Sequence, residues 1–402
     1  MIPHSGSKLV CPVRYKRNIS TESLEKFRKA ITKQNWDKEL PDTDVNSSCK
    51  SFLDQFNHLY ELHFPLIVTR SKPNRKQDLP WITGSLKNLF IEKIDYLRNI
   101  SPVLIKLWPN TKNINRTETN SHLSYEQLEK NYYANRLEFH KNNQHQIWKT
   151  LNVITGRNTY DDTITEITSH GEKITNPTII AEKFNQYFNN VGSQLASSIP
   201  PAPVKYTEYL KSPVPNSIYF NPITPGEVSS VIESLDPSKS SGPEGFSIKV
   251  LKTCSLEIST ALTNIFNNSL SVGIFPDQIK IAQIVPVFKN GNKFQVCNYR
   301  PISVLSPLSK IFEKLVYVRL LSFISKNKVL GNEQFGFRSK LSTYMALLEL
   351  TDGISKSIDE RKLTVGIFLD LAKAFDTVNH KILLDKLQYY GIRGTPLNWF
   401  AD

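Results

Sequence analysis

Thr364-Val365-Gly366-Ile367-Phe368-Leu369-Asp370-Leu371-Ala372-Lys373-Ala374-Phe375-Asp376-Thr377-Val378 is the stretch on which the reading of this chain turns. Thr364 to Leu369 is an apolar run, rich in β-branched and aromatic side chains, of the kind that forms a buried strand. The run ends on Asp370. A carboxylate at the end of a buried strand is costly unless it is paired, hydrogen-bonded or bound to a cation. Two readings are open here. Asp370 holds a divalent metal, which wants hard oxygen ligands on a rigid element, or it caps the helical text behind it.

Upstream of that run lies a basic hairpin. Ile281 to Phe288 and Tyr299 to Ser303 read as strands, joined through a turn at Lys289-Asn290-Gly291-Asn292-Lys293. A lysine and an arginine on paired strands can converge on a triphosphate. The arginine grips phosphate bidentately and the lysine acts as a point charge. The alternative is a basic hairpin that merely faces solvent. Between hairpin and run, residues 307–327 and 342–361 have helical periodicity, and helical text resumes to Tyr389 before a Gly391-Ile392-Arg393-Gly394 turn.

Before the hairpin, Thr224-Pro225-Gly226-Glu227 spells an N-cap, a first-turn proline and a capping-box glutamate. Helices are expected at 248–252 and 256–271. The stretch 199–226 is rich in proline, hence stiff and extended, and marks a boundary. Residues 1–198 are expected to be mostly helical. A capped start stands at Ser20-Thr21-Glu22-Ser23, and a basic loop covers 71–78. Tyr125, Leu128, Tyr132, Tyr133, Arg136 and Phe139 fall at helical spacing, either as a core-facing stripe or as a platform for bases.

The chain has 402 residues, with 50 Lys+Arg against 37 Asp+Glu, a net charge of +13 and a pI near 9.3. That balance favours polyanionic partners, because each cation set on a phosphate releases counterions. Cys11, Cys49, Cys254 and Cys297 are far apart and make no CxxC pair, so free thiols in a reducing compartment are expected rather than a disulfide frame or zinc knuckle. No uncharged apolar run reaches the length of a membrane helix, and the N-terminus lacks the apolar core of a signal peptide.

Phe368-Leu369-Asp370-Leu371-Ala372-Lys373-Ala374-Phe375-Asp376 is similar to the first catalytic motif of reverse transcriptases, in which an aromatic residue follows the aspartate by five positions. Ile284 to Lys293 with Asn298-Tyr299-Arg300-Pro301-Ile302-Ser303 resembles the fingers hairpin of the non-LTR, LINE-like enzymes. Three further pieces follow that family's order. Lys239-Ser240-Ser241-Gly242-Pro243-Glu244-Gly245-Phe246 resembles the glycine-rich start of the fingers, where Asp is usual in place of Glu244. Asn332-Glu333-Gln334-Phe335-Gly336-Phe337-Arg338 resembles the template-contacting segment. Leu384-Asp385-Lys386-Leu387 resembles the helix after the motif. Pro80-Trp81-Ile82-Thr83, the Tyr132–Arg136 helix and Ile147-Trp148-Lys149 look, more loosely, like the linker region of jockey-type elements.

The resemblance implies roles. Asp370 would be the catalytic metal ligand, one of the carboxylates that hold two Mg²⁺ or Mn²⁺ ions in the intact enzyme. Lys289 and Arg300 would bind the nucleotide phosphates. Leu371 and Ala372 would offer backbone groups to nucleotide or metal, and Phe375 would exclude a ribose 2′-hydroxyl. Arg338 would lie on the template backbone, and Asp376 would be structural, pairing with His380. The implied fold is α+β: a helical region (1–198), a Pro-rich joint (199–226), then fingers and a partial palm of a right-hand polymerase (227–402). Partners would be RNA template, DNA primer and dNTP. The location would be intracellular, cytoplasm and nucleus, in a ribonucleoprotein. The family's Ala-Asp-Asp hairpin is not found; Trp399-Phe400-Ala401-Asp402 comes too soon after Asp370 to be it. The expectation is a fragment without polymerase activity of its own, or alternatively a non-catalytic nucleic-acid-binding remnant.

Overall fold

The structure, a computed structural model, describes residues 13–36, 44–70, 125–156, 164–169, 171–200, 202–210 and 212–402. The basic loop at 71–78, Pro80-Trp81-Ile82-Thr83 and Cys11 lie outside the described residues. Chain contacts divide it into two units, Arg17–Ile67 with Ile164–Asp402, and Met1–Lys16 with Val68–Thr163. The described elements are β1 (Val13–Arg17), α1 (Thr21–Lys33), α2 (Val45–His63), β2 (Leu66–Arg70), α3 (Tyr125–Phe139), α4 (Gln144–Ile154), β3 (Ile167–Ser169) and β4 (Glu172–Ile174). They continue with α5 (Pro177–Ser198), α6 (Pro225–Ser234), α7 (Ile248–Thr253), α8 (Ser255–Val272), α9 (Asp277–Lys280), β5 (Ala282–Phe288) and β6 (Tyr299–Leu305). The last four are α10 (Pro307–Lys326), α11 (Thr343–Asp359), α12 (His380–Tyr389) and α13 (Thr395–Ala401). Helices and short two-stranded sheets are thus mixed, as an α+β reading requires. Among the described residues no helix is long and apolar enough to cross a membrane.

Local chemistry sets the helix starts. Thr224 Oγ1 accepts from the Glu227 N–H at 3.3 Å and the Glu227 carboxylate accepts from the Thr224 N–H at 2.8 Å, closing the expected capping box of α6. Ser20 caps α1, with Ser23 closing that box. Burial then follows the 3.6-residue period. Leu24, Phe27 and Ile31 of α1 meet Cys49, Phe52, Phe56 and Tyr60 of α2. Phe246 enters this nest at 4.8 Å from Phe56 and 5.3 Å from Tyr60, with edge-to-face rings. A second nest stacks Phe312 of α10 on Phe266 of α8 at 4.3 Å, with Phe275 at 5.4 Å and Trp399 of α13 at 5.3 Å. Both nests belong to one continuous core.

The Pro-rich stretch is not extended throughout, since Tyr206–Tyr209 forms a 3-10 turn, and it is tied to that core. Ile218, Phe220 and Ile223 are buried. The Ile218 N–H donates to the Gly391 carbonyl at 2.8 Å, and Arg393 donates to the carbonyls of Val214 (2.7 Å) and Pro215 (3.3 Å). Asn267 of α8 brackets Ile223, accepting from its N–H at 2.7 Å and donating to its carbonyl at 2.9 Å.

In the other unit α3 and α4 pack together. Tyr133 is buried, while Phe139 at the end of the same aromatic stripe is exposed. Arg136 donates to the Tyr132 hydroxyl at 2.9 Å.

Candidate nucleotide site

β5 and β6 pair antiparallel, with Val285 opposite Ile302, Pro286 opposite Pro301, Val287 opposite Arg300 and Phe288 opposite Tyr299. Opposite residues share a face, and faces alternate along a strand. One face therefore carries Phe288, Tyr299 and the two prolines; the other carries Val285, Val287, Ile302 and Arg300. The Lys289 N–H donates to the Asn298 carbonyl at 2.9 Å, so the ladder runs on one step past β5. That step places Lys289 on the face of Arg300, as its diagonal neighbour. Pairs alternate between hydrogen-bonded and open along the ladder. With 289 and 298 bonded, the two prolines fall at an open pair, where neither lacks an N–H the ladder needs.

The two faces have different fates. Tyr299 is buried, 5.0 Å from Phe184 of α5 and 5.5 Å from Phe288, and its hydroxyl donates to the Lys293 carbonyl at 2.7 Å. Ile167 and Ile180 complete that small cluster. Burial holds the tyrosine's pKa above its ordinary value. The opposite face is open. Lys289 and Arg300 are exposed, and among the described residues neither side chain has a hydrogen-bond or ion-pair partner. At the turn, Gly291 has φ +87°, and an added Cβ would come within 3.0 Å of the Asn298 amide.

At Asp370 the structure departs from the sequence reading. Thr364 to Leu369 forms no strand, and Asp370 is exposed rather than buried. Ile367 is 79% and Leu369 89% exposed. The physical reason is pairing. A strand's N–H and C=O groups need a neighbouring ladder, and among the described residues no strand lies beside this segment. Leu371 is exposed, and Ala372 to Thr377 form a turn closed by the Asp376 and Thr377 N–H groups on the Lys373 carbonyl, at 2.9 and 3.2 Å. The expected Asp376–His380 pair does not form: among the described residues neither side chain has a partner, and Asn379 caps α12.

Phe375 is exposed and meets Phe337 edge to face at 6.1 Å, which brings the loop before α11 to the Asp370 turn. In that loop Arg338 turns inward, donating to the Gly331 carbonyl at 2.9 Å. The glycine-rich segment is held by Tyr60, whose hydroxyl accepts from the Ser247 N–H at 3.0 Å and donates to the Gly245 carbonyl at 3.2 Å. Asp402 is structural. It accepts from Lys280 at 2.7 Å and from the Phe275 N–H at 2.8 Å, and the Lys280 hydrogen bond keeps its pKa below the usual carboxylate range. Among the described residues, no group of three or more His, Cys, Asp or Glu is placed to hold a metal ion.

The structure thus joins Phe375 to the Arg338 loop and sets Lys289 beside Arg300. It records no contact between either cation and Asp370. Sequence reasoning passed over α5, which touches both the hairpin and the Asp370 turn. A glycine inside its helical pattern, Gly192, was the available signal.

Residues 289–401 match the family model described as reverse transcriptase (RNA-dependent DNA polymerase). The chain is 34% identical over 190 residues to a probable RNA-directed DNA polymerase from transposon BS of Drosophila melanogaster, covering 46% of this chain and 21% of that protein. It is 34% identical over 180 residues to the RNA-directed DNA polymerase from mobile element jockey of the same species, covering 44% and 20%. This part of the chain is therefore similar to the reverse transcriptases of non-LTR retrotransposons. The matched part spans about a fifth of the length of those relatives. Within the reverse-transcriptase segment lie Lys289, Arg300, Arg338, Asp370, Leu371, Ala372 and Phe375; Glu244 and α5 precede the family match.

Proposed function

We propose that this chain supplies the fingers and the start of the palm of an RNA-directed DNA polymerase acting on an RNA template, a DNA primer and dNTP. Lys289 and Arg300 receive the nucleotide phosphates. Asp370 is the first carboxylate of the metal site, Leu371 and Ala372 present backbone to the nucleotide, and Phe375 is the steric gate. Arg338 reaches the template once its loop rearranges from the present clasp. The observation that carries the reading is the β5–β6 register, which sets the two cations side by side on the bare face of a hairpin whose other face is packed. Such a face has no structural task, and paired cations without carboxylate partners suit a polyphosphate.

The reaction uses divalent metal in this family. Among the described residues that site is not made: Asp370 is exposed, and one exposed carboxylate cannot fix two cations. The same observation favours a second reading, a non-catalytic basic nucleic-acid binder. Either reading places the protein inside the cell, in cytoplasm and nucleus, as part of a ribonucleoprotein.

Photolabelling with an azido-dATP separates the readings. Label on β5–β6 or on 370–375, displaced by excess dNTP, supports the polymerase reading. RNA binding without nucleotide label supports the second.

A further inference from the structure

We propose that α5 is the positioning element of the site, holding the Asp370 turn through Gly192 and Tyr187 while it holds the phosphate hairpin through Phe184. The inference rests on the reading of that turn and hairpin as two halves of one nucleotide site. It goes beyond it by assigning a function to a helix upstream of the family-matched residues.

Three observations converge. Gly192 is buried, and a Cβ there would overlap the backbone carbonyl oxygen of Asp376 and lie 3.1 Å from its carbon. Glycine inside a helix is unfavourable, so a buried one at a backbone-to-backbone contact has a packing reason. Five residues earlier, the Tyr187 hydroxyl accepts from Lys373 Nζ at 2.7 Å, and the same ammonium sits 4.5 Å from the ring centroid. Lys373 has φ +49°, a left-handed conformation that lysine adopts at a cost. The anchored side chain helps to offset that cost. Around it Leu371 and Phe375 are exposed, so Lys373 and the Asp376 carbonyl are the turn's footholds on α5.

The third observation is what else α5 touches. Phe184, three residues before Tyr187, packs on Tyr299, the residue beside Arg300 but on the opposite face. Positions 184, 187, 188 and 191 lie on one side of the helix. A rigid helix that meets both segments fixes the distance between the phosphate-facing cations and the carboxylate turn. It fixes it from behind, without touching nucleotide, and is therefore a positioning element rather than a catalytic one.

Hydrogen exchange resolved by peptide on the full 402-residue chain is the test, with Gly192→Ala, Tyr187→Phe and Lys373→Arg. Alanine favours the helix intrinsically. Gly192→Ala is therefore expected to leave α5 protected while exchange of peptide 371–378 rises about tenfold. Tyr187→Phe raises exchange of the same peptide, and Lys373→Arg, which keeps charge and donor, stays near wild type. In azido-dATP labelling, Gly192→Ala shifts label away from 370–375 and leaves the hairpin labelled, which a general loss of fold would not do. Wild-type exchange at 371–378 in both Gly192→Ala and Tyr187→Phe overturns the proposal. Absence of nucleotide label in the unsubstituted chain counts against the polymerase reading, and the exchange result still decides the positioning.

Discussion

Replacing Arg300 and Lys289 by alanine tests the site reading most directly, because binding and stability should move in opposite directions. Diagonal neighbours on an antiparallel pair lie about 7–8 Å apart. Two positive charges at that separation in water repel by about 0.5 kcal/mol. Neither side chain has an anionic partner among the described residues. Each single alanine variant should therefore leave stability unchanged or raise it by a few tenths of a kcal/mol. Binding should fall. A hydrogen bond to a charged group contributes about 1.5–3 kcal/mol. The lower end suits this exposed face, so Arg300→Ala should weaken triphosphate binding about tenfold, and the double variant by less than the product of the singles, since the residues share a ligand. The assay is fluorescence anisotropy of a labelled dATP over a salt series, with urea denaturation alongside. Salt should weaken wild-type binding more steeply than that of the double variant. Wild-type affinity in the double variant, or a large loss of stability in either single one, would refute the assignment.

Other consequences are quickly checked. Phe312→Ala empties the centre of the second aromatic nest, where the ring is fully buried, and should cost about 3–5 kcal/mol in urea denaturation. The Lys280 hydrogen bond lowers the Asp402 pKa in the folded chain. The stability it gives is present above the unfolded carboxylate value near 4 and is lost as pH falls through the lower folded value. Because Asp402 is partly exposed, the loss should be only a few tenths of a kcal/mol and should vanish in Asp402→Asn, read from acid denaturation midpoints. Cys49 is buried and its thiol is pushed up to about 12 by burial, so iodoacetamide at neutral pH should modify exposed Cys297 before Cys49. Primer extension by this chain with Mg²⁺ or Mn²⁺ should yield no template-directed product, since among the described residues no group of carboxylates is placed to hold the metal ions that the chemistry needs.

Much of the fold could be read from short spacings. The Thr224–Glu227 box, the hairpin around Gly291 and the helices at 248–253, 255–272 and 307–326 formed close to where local rules put them. These signals are complete within a few residues. Long-range associations were not legible. Nothing in the first helices announces that Tyr60 will hold the backbone at Gly245 and Ser247, or that Phe246 will fill the aromatic nest of α1 and α2. That Lys289 and Arg300 lie near one another on the hairpin was legible because strands joined by a short connection pair with each other. The docking of Gly192 on Asp376 was not, because residues so far apart in the chain meet only through the tertiary fold.

Asp370 shows why an apolar run and a strand are different things. Hydrophobicity specifies what a segment gains if it is covered; it does not supply the cover. Here the run from Leu363 to Leu371 lies bare, beside a helix, α11, whose Tyr344, Leu347 and Leu348 are also exposed. Ala346, Leu350, Gly353 and Thr364 line the hollow between them. A strand in that place needs hydrogen-bonding neighbours on its edges and an apolar layer over its face, and both must come from elsewhere in the sequence or from another chain. The carboxylate's chemistry changes with that requirement. A buried Asp370 would be forced toward a cation by the cost of desolvation, whereas an exposed, hydrated Asp370 feels no such force. Affinity for metal at this position therefore has to be created by the elements that cover the run. On the proposed reading, burial of Asp370 and completion of a ligand set around it would be one event.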